Sequence, residues 1–240
     1  MNPGNAALGR GLDVLIALAD PLAARDGIGV SRLAELLGSD KSQVSRTLAV
    51  LDERGFVTRD PDTLAYRLGW QVFSLAALAG DAPLISAARP VLLVLVAELG
   101  ESAHLSVRQH NQVLTLATES PAVAIHAPGR VGGFTPLATT SAGRALATGL
   151  ADEELEAAGL APFAAAIAEA RSRGYAIVRE EFEAGLVSVA APVHDGAGRV
   201  IGAINVSAPG FRFEQRLESA APVVARAAAT VGASVGLATV

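Results

Sequence analysis

"LGSDKSQVSRTLAVLDERGFVTRD", residues 37–60, is the stretch that decides how the chain begins to fold, and it holds Lys41, the chain's one lysine. Asp40 with Gln43 has the spacing of a capping box, which starts a helix, and Gly55 is placed to end it. Just upstream, Ser31 is positioned to cap another helix through Leu33, Leu36 and Leu37. Gly38 would close that helix in the left-handed conformation that glycine adopts at little cost. Only GSD lies between the two helices, and so short a connection forces a steep crossing, the geometry of a helix-turn-helix.

The second of these helices divides by face. Val44, Leu48 and Leu51 recur at i, i+4 and i+7 and belong in a core, so Ser42, Arg46 and Ala49 point away, flanked by Gln43 and Ser45. A helix that only met water would more usually carry Glu/Lys pairs, whereas Ser, Gln and Arg are donors and acceptors suited to base edges and phosphates. Downstream, "FVTRDPDTLAYRL" reads as two strands around a DPDT turn, with Val57 and Thr58 before it and Leu64, Tyr66 and Leu68 alternating after it. A helix-turn-helix followed by a hairpin is a winged helix-turn-helix, with Arg59 and Arg67 on either side of the wing. Upstream, Leu12, Leu15, Ile16 and Ala19 mark one face of a further helix, ended by Pro21. The candidate DNA contacts are Ser31, Lys41, Ser42, Gln43, Ser45, Arg46, Arg59 and Arg67. Charge within residues 31–59 is nearly balanced, so binding must rest on a few placed contacts and on dimerisation. Lys41 at a helix start opposes the helix dipole unless a phosphate is bound there too.

Composition sets the outer bounds. The chain has 240 residues, a formal net charge of −5 and 51% hydrophobic residues, enough for a core in each of two domains. Cysteine is absent, which excludes disulfides, thiolate metal sites and cysteine nucleophiles. Asp13 and Asp20 fall in the first helical pattern, unlike a secretory leader. The longest apolar run, "LISAARPVLLVLVAELG", is broken by Arg89 and Pro90. The expectation is a soluble cytoplasmic protein with no membrane partner.

Composition and pattern shift near residue 70. Residues 71–79 read as a linker helix and 83–99 as a helix opening a second domain, giving boundaries of 1–69, 70–82 and 83–240. Strand signals follow at 103–107, 112–118, 186–194 and 199–207, and helical patterns at 141–149, 152–158, 162–173 and 214–237. The economical arrangement is α+β, an antiparallel sheet flanked by helices in the manner of a GAF-like sensor. Catalytic marks are missing: there is no GxSxG elbow, no GxGxxG after a first strand and no P-loop. His104, His110, His126 and His194 lack metal-ligand spacing and read as strand or turn residues with local hydrogen bonds, so no metal or cofactor is expected. Glu180 and Glu181, placed on a strand, would face opposite ways. An enzyme using this domain's pocket, or an adaptor whose winged helix no longer reads DNA, are the competing readings.

A ligand pocket is better marked. "GRVGGFTPLATTSAGRAL", residues 129–146, places a glycine-rich loop before a helix start at Thr140, Ser141 and Ala142, where free N–H groups favour a carboxylate. The plain alternative is N-capping by Thr140 or Ser141.

These residues together resemble the IclR family of bacterial transcriptional regulators. The resemblance runs from Leu12 through "YRLGW", "ARPVLLVLVAELGESAHLSV" and "PLATTSAGRAL" to "RSRGYAIVREEFEAGLVSVAAPVHDGAGRVIGAINVSAP". It implies a homodimer, or a dimer of dimers, that binds a pseudo-palindromic double-stranded operator and answers to a small organic acid or aromatic effector. It also implies an effector pocket at Ser141, Ala142, Leu186, Ser188, Asn205 and Ser207. At Val178 some members carry an acidic residue that contacts the effector. Its absence, with Val131, Phe134 and Leu137 nearby in sequence, points to an effector with an apolar body and one acidic or hydroxyl end.

Overall fold

The computed structural model describes residues 3–20, 26–77, 82–127, 129 and 131–237, and divides into two compact units, Met1–Ala82 and Pro83–Val240. The first unit contains α1 (Pro3–Leu18), α2 (Val30–Leu36), α3 (Lys41–Glu53), strands β1 (Val57–Arg59) and β2 (Tyr66–Leu68), and α4 (Trp70–Ala77). Its core is Val14 and Leu18 from α1, Leu33 and Ala34 from α2, Val44 and Leu48 from α3, and Val57 and Tyr66 from the hairpin.

Local chemistry explains the turn between α2 and α3. Gly38 has φ +57° and Gly55 φ +72°, left-handed values that end α2 and α3 without the steric cost another side chain would meet. Asp40 is the N-cap of α3, and its carboxylate accepts from the Ser42 N–H at 2.7 Å. The expected reciprocal box with Gln43 is replaced by Ser42, whose hydroxyl also donates to Asp40 at 2.6 Å. Ser31 is not a cap. Gly29 holds that place without a side-chain bond, and Ser31 lies exposed one residue inside α2.

Two further expectations fail here for physical reasons. In α1 the buried residues are Val14 and Leu18, while Leu12 and Ile16 are 52% and 70% exposed. Leu8, Leu12 and Ile16 form a second apolar stripe, so periodicity alone did not say which stripe meets α3. The helix ends at Leu18, and Pro21 lies outside the described residues. Leu64 is not part of the alternation: it sits at φ +58°, half exposed, in the turn, and β2 begins at Tyr66. Ile28 adds an isolated antiparallel bridge to Tyr66, a third strand-like contact too short to announce itself in sequence.

The second unit opens with α5 (Ala82–Leu99) and builds a six-stranded antiparallel sheet in the order β5-β4-β3-β8-β7-β6. The strands are β3 (Ser102–Gln109), β4 (Gln112–Glu119), β5 (Phe134–Pro136), β6 (Ala176–Arg179), β7 (Leu186–His194) and β8 (Val200–Pro209). Helices α6 (Ser141–Ala147), α7 (Asp152–Ala157) and α8 (Ala164–Arg173) lie between β5 and β6, and α9 (Leu217–Leu237) closes the described chain. The edge strands β5 and β6 were not expected. They span only three and four residues, too few for alternation to show.

Strand periodicity gives the sheet two unlike faces. Leu105, Val107, Val187, Val189, Ile204 and Val206 point to one side and pack with Leu92 and Leu95 of α5 and Val224 and Val231 of α9. On the other side Val113, Ala190 and Ala203 pack with Ala145 and Leu146 of α6, Leu155 of α7 and Ile167 of α8. Beyond that second core, the same side of the sheet turns polar.

Candidate functional site

The polar patch follows from register. His104 on β3 stands beside Thr118 on β4 and Asn205 on β8. One pleat along, Ser207 on β8 pairs Ser188 on β7, which pairs Val178 on β6. Ser106 and Thr115 form the next row. His104, Ser106, Ser188 and Asn205 are all buried despite being polar. Polar groups at successive inward positions of buried strands need partners, and here they face a cavity of about 530 Å³.

Helix α6 closes one end of this cavity. Thr140 caps it by accepting from the Gly143 N–H at 3.1 Å, and its own hydroxyl donates to the Pro136 carbonyl at 2.8 Å. Gly143 allows that end to sit directly on the Leu137 carbonyl, where a Cβ would collide. Ser141 and Ala142 line the cavity. The Ser141 hydroxyl is 1% exposed and has no hydrogen-bond partner among the described residues. An unmet buried hydroxyl costs about 1–3 kcal/mol.

Another wall is the turn between β6 and β7, where Phe182, Glu183, Ala184 and Gly185 border the cavity. Glu180 and Glu181 lie in this turn rather than on a strand, and Glu180 has φ +56°. Glu181 forms a two-pronged ion pair with Arg144 of α6, and Arg144 also donates to the Ala138 carbonyl and stacks over Phe163. Arg144 therefore ties the turn to the helix and is not free to meet a ligand.

Of the residues expected in the pocket, Phe134, Thr140, Ser141, Ala142, Val178, Leu186, Ser188, Asn205 and Ser207 come together around this cavity. Val131 and Leu137 do not. Leu137 is buried in the core beneath α6, and Val131 is 60% exposed outside the lining. Val113 and Phe182 join Phe134 and Val178 as the apolar lining. His104, Ser106, Thr115 and His126 also line it and were missed. The signal was present as Ser-Ala-His-Leu-Ser-Val and Asn-Val-Ser-Ala, a polar residue at every second position of strands with apolar neighbours. The His104 bond is not local: its Nδ1 lies 3.0 Å from the Thr118 hydroxyl on the neighbouring strand. Burial pushes its pKa down to about 4, so the ring is neutral.

In the first unit, Lys41, Ser42, Gln43, Ser45 and Arg46 are exposed on one side of α3, opposite Val44 and Leu48. Arg46 and Gln43 also border a groove between α3 and the Leu8–Leu12 stripe of α1. Arg59 shares a face of the hairpin with Tyr66 and stacks over its ring at 5.6 Å, while Arg67 pairs Thr58 on the other face. Among the described residues there is no cluster of His, Asp and Glu able to hold a metal ion, and no helix is long and apolar enough to cross a membrane.

Comparison with known proteins agrees with both units. Residues 7–61 match the pattern described as IclR helix-turn-helix domain, and residues 76–233 match that described as bacterial transcriptional regulator IclR C-terminal. The HTH-type transcriptional regulator BhcR of Paracoccus denitrificans is 30% identical over 94% of this chain and 85% of its own length. The HTH-type transcriptional repressor AllR of Escherichia coli K12 is 28% identical over 98% of this chain and 92% of its own. Among solved structures, an IclR homolog from Microbacterium hydrocarbonoxydans, complexed with 4-hydroxybenzoate, superposes with a TM-score of 0.83 at 22% identity, covering 95% of this chain and 98% of that one. A winged head, a two-faced sheet with a polar cavity, and these matches along nearly the whole length give one conclusion: the chain belongs to the IclR family of bacterial transcriptional regulators.

Proposed function

We propose that the chain regulates transcription by binding operator DNA through α3 and the wing, under the control of a small effector held in the cavity of the second unit. The relatives are named as regulators, not enzymes. The observation that carries the effector reading is the unpartnered Ser141 hydroxyl, buried at the wall of a cavity whose floor is His104, Ser188, Asn205 and Ser207. Such a surface suits a ligand with one acidic or hydroxyl end, and Phe134, Val178 and Phe182 suit an apolar or aromatic body. 4-Hydroxybenzoate, held by the Microbacterium hydrocarbonoxydans homolog, is of that class.

On the DNA side, Gln43 and Arg46 address base edges, while Lys41, Arg59 and Arg67 address phosphates, with Ser31, Ser42 and Ser45 as supporting contacts. Ser42 has already committed its proton to Asp40 and so meets DNA as an acceptor. Residues 1–69 serve as the reading head, 70–82 as the linker and 83–240 as the sensor. A homodimer, or a dimer of dimers, in the cytoplasm places two heads on half-sites about one helical turn, or a multiple of it, apart. Effector binding then shifts the population between arrangements of the heads.

Ala142→Phe tests this reading, because Ala142 is buried at the cavity wall. Operator affinity, measured on the DNA upstream of the chain's own gene, is expected to stay at the wild-type value while release by a panel of small aromatic acids is lost. Simple overpacking would instead cost about 1–3 kcal/mol of stability with no selective loss of release. Release that survives with its normal concentration dependence would place the effector elsewhere.

A further inference from the structure

The cavity has an uneven supply of charge. Among the described residues that line it none is lysine or arginine, Glu183 is the one acidic side chain, and only His104 and His126 are able to become cations. A carboxylate taken out of water is held best where a counter-charge stands beside its hydrogen-bond donors. The two histidines are not equivalent. His126 lies at the cavity's loop side with its Nδ1 tied to the Val123 carbonyl at 3.0 Å. His104 sits in the middle of the sheet, 6% exposed, with its Nδ1 edge held by Thr118 and covered by the backbone at Gly129. A Cβ at residue 129 would collide with both the His104 ring and the Thr118 hydroxyl, so only glycine lets the chain lie there. That leaves the opposite ring nitrogen, Nε2, with no hydrogen bond from the described residues.

We infer that His104 sets the charge class of the effector: a monocarboxylate seats its anionic end at His104 Nε2, and the ring takes up one proton from solvent as the ligand enters. One N–H bond forms at Nε2 at the expense of a proton from water or buffer, and no other bond changes. This deepens the reading of the cavity as the effector site and rests on it. The Thr118 hydroxyl accepts from Nδ1–H in the protonated ring, so the same bond holds the ring in either state.

Among the described residues that line the cavity, His126 is the one other group able to become a cation, and it lies at the loop side while His104 stands at the centre of the polar floor. Facing His104 are Thr118 from β4, Asn205 from β8, Ser102 and Ser106 on its own strand, and Gly129 from the loop. The further lining is Thr140 and Ser141 from α6, Glu183 from the β6–β7 turn, and His126. Two charged pairs lie on the elements around His104. Glu101 holds Arg212 through bonds of 2.5 and 2.6 Å, and Arg144 is paired with Glu181. With no anion present, burial keeps His104 neutral down to about pH 4. A bound carboxylate raises that value, so over the interval between the two the association constant falls tenfold for each unit rise in pH and then levels off.

The test is calorimetric titration of the full chain with benzoate, 4-hydroxybenzoate and phenylacetate, and with their amides, from about pH 5.5 to 8 in buffers of different ionisation heat. The expected result is that at least one acid binds with uptake of one proton and the tenfold slope, while its amide binds at least tenfold more weakly at the acid end. His104→Gln is expected to abolish the slope and the preference for acid over amide. In the wild type, saturation with the acid is expected to move the His104 C2 proton resonance to its protonated position, a readout that needs no variant. Binding of no acid at any pH, equal binding of acid and amide, flat pH dependence, or a slope that persists in His104→Gln would each overturn the assignment. An acid that binds with proton uptake but leaves operator affinity unchanged would uphold it and sink the regulatory reading instead.

Discussion

The two faces of the six-stranded sheet come from the same strands and have opposite composition. On β8, Ile204, Val206 and Ala208 point into a core shared with α5 and α9, while Asn205 and Ser207 point into the cavity. On β7, Val187 and Val189 flank Ser188 in the same way. Both sets are buried or nearly so, which means burial alone does not separate them. What separates them is what they face: the apolar side chains complete their contacts within the protein, whereas the polar set lines a cavity beside the unpartnered Ser141 hydroxyl. One face therefore carries stability, and the other carries a polar surface kept for something that enters.

The comparison breaks most visibly on β8, where adjacent residues should respond in opposite ways. Ile204 is fully buried among the strands and helices of the larger core, so Ile204→Ala is expected to cost about 2–5 kcal/mol in chemical denaturation. Asn205 bonds to the Ser207 hydroxyl at 3.0 Å and faces the cavity, so Asn205→Ala should cost only about 1 kcal/mol while weakening the binding of acids. Equal losses of stability at the two positions would mean that both faces are structural.

Acidification probes the polar face through His104. Burial lowers the pKa of His104 from the ordinary histidine value of 6.5 to about 4, so below pH 6.5 the unfolded chain binds a proton that the folded chain refuses. The sign is a loss of stability as pH falls from about 6.5 to about 4, roughly 1.4 kcal/mol per unit, with no further loss from this group below that. Subtracting the pH profile of His104→Gln from that of the wild type isolates the effect from the carboxylates. A flat difference would show that the ring charges freely in the folded chain and is not enclosed by the sheet.

The winged head was far more legible in sequence than the cavity, and the reason is locality. Asp40, Gly38 and Gly55 act on their own turns, so their spacing alone places α2 and α3. The stripe of α1 was misassigned because Leu12 and Ile16 repeat as well as Val14 and Leu18 do, and only contact with α3 chooses between them. The cavity is assembled from strands up to a hundred residues apart in the chain. Its central residues were named through family resemblance, and His104 was overlooked because a lone histidine in a strand carries no spacing. Leu137 is grouped in sequence with Val131 and Phe134 as apolar pocket residues, yet it is buried in the core beneath α6.

The smallest expected effect is the sharpest test of the distinction between the faces. Ser141→Ala removes a hydroxyl that is 1% exposed and without a partner. In an ordinary buried position, loss of a serine hydroxyl deletes a hydrogen bond and destabilises. Here there is no bond to delete, and the desolvation cost of an unmet polar group is relieved, so the variant should be more stable by about 1 kcal/mol. The capping of α6 should survive, since it is the Thr140 hydroxyl that accepts from the Gly143 N–H. The same change should weaken acid binding about tenfold, as expected for one lost hydrogen bond of roughly 1.4 kcal/mol. A gain in melting temperature together with a loss in affinity is the signature of a group held ready for a ligand. A fall in melting temperature would mean that the hydroxyl is satisfied within the folded protein, and the strongest single mark of the effector site would be gone.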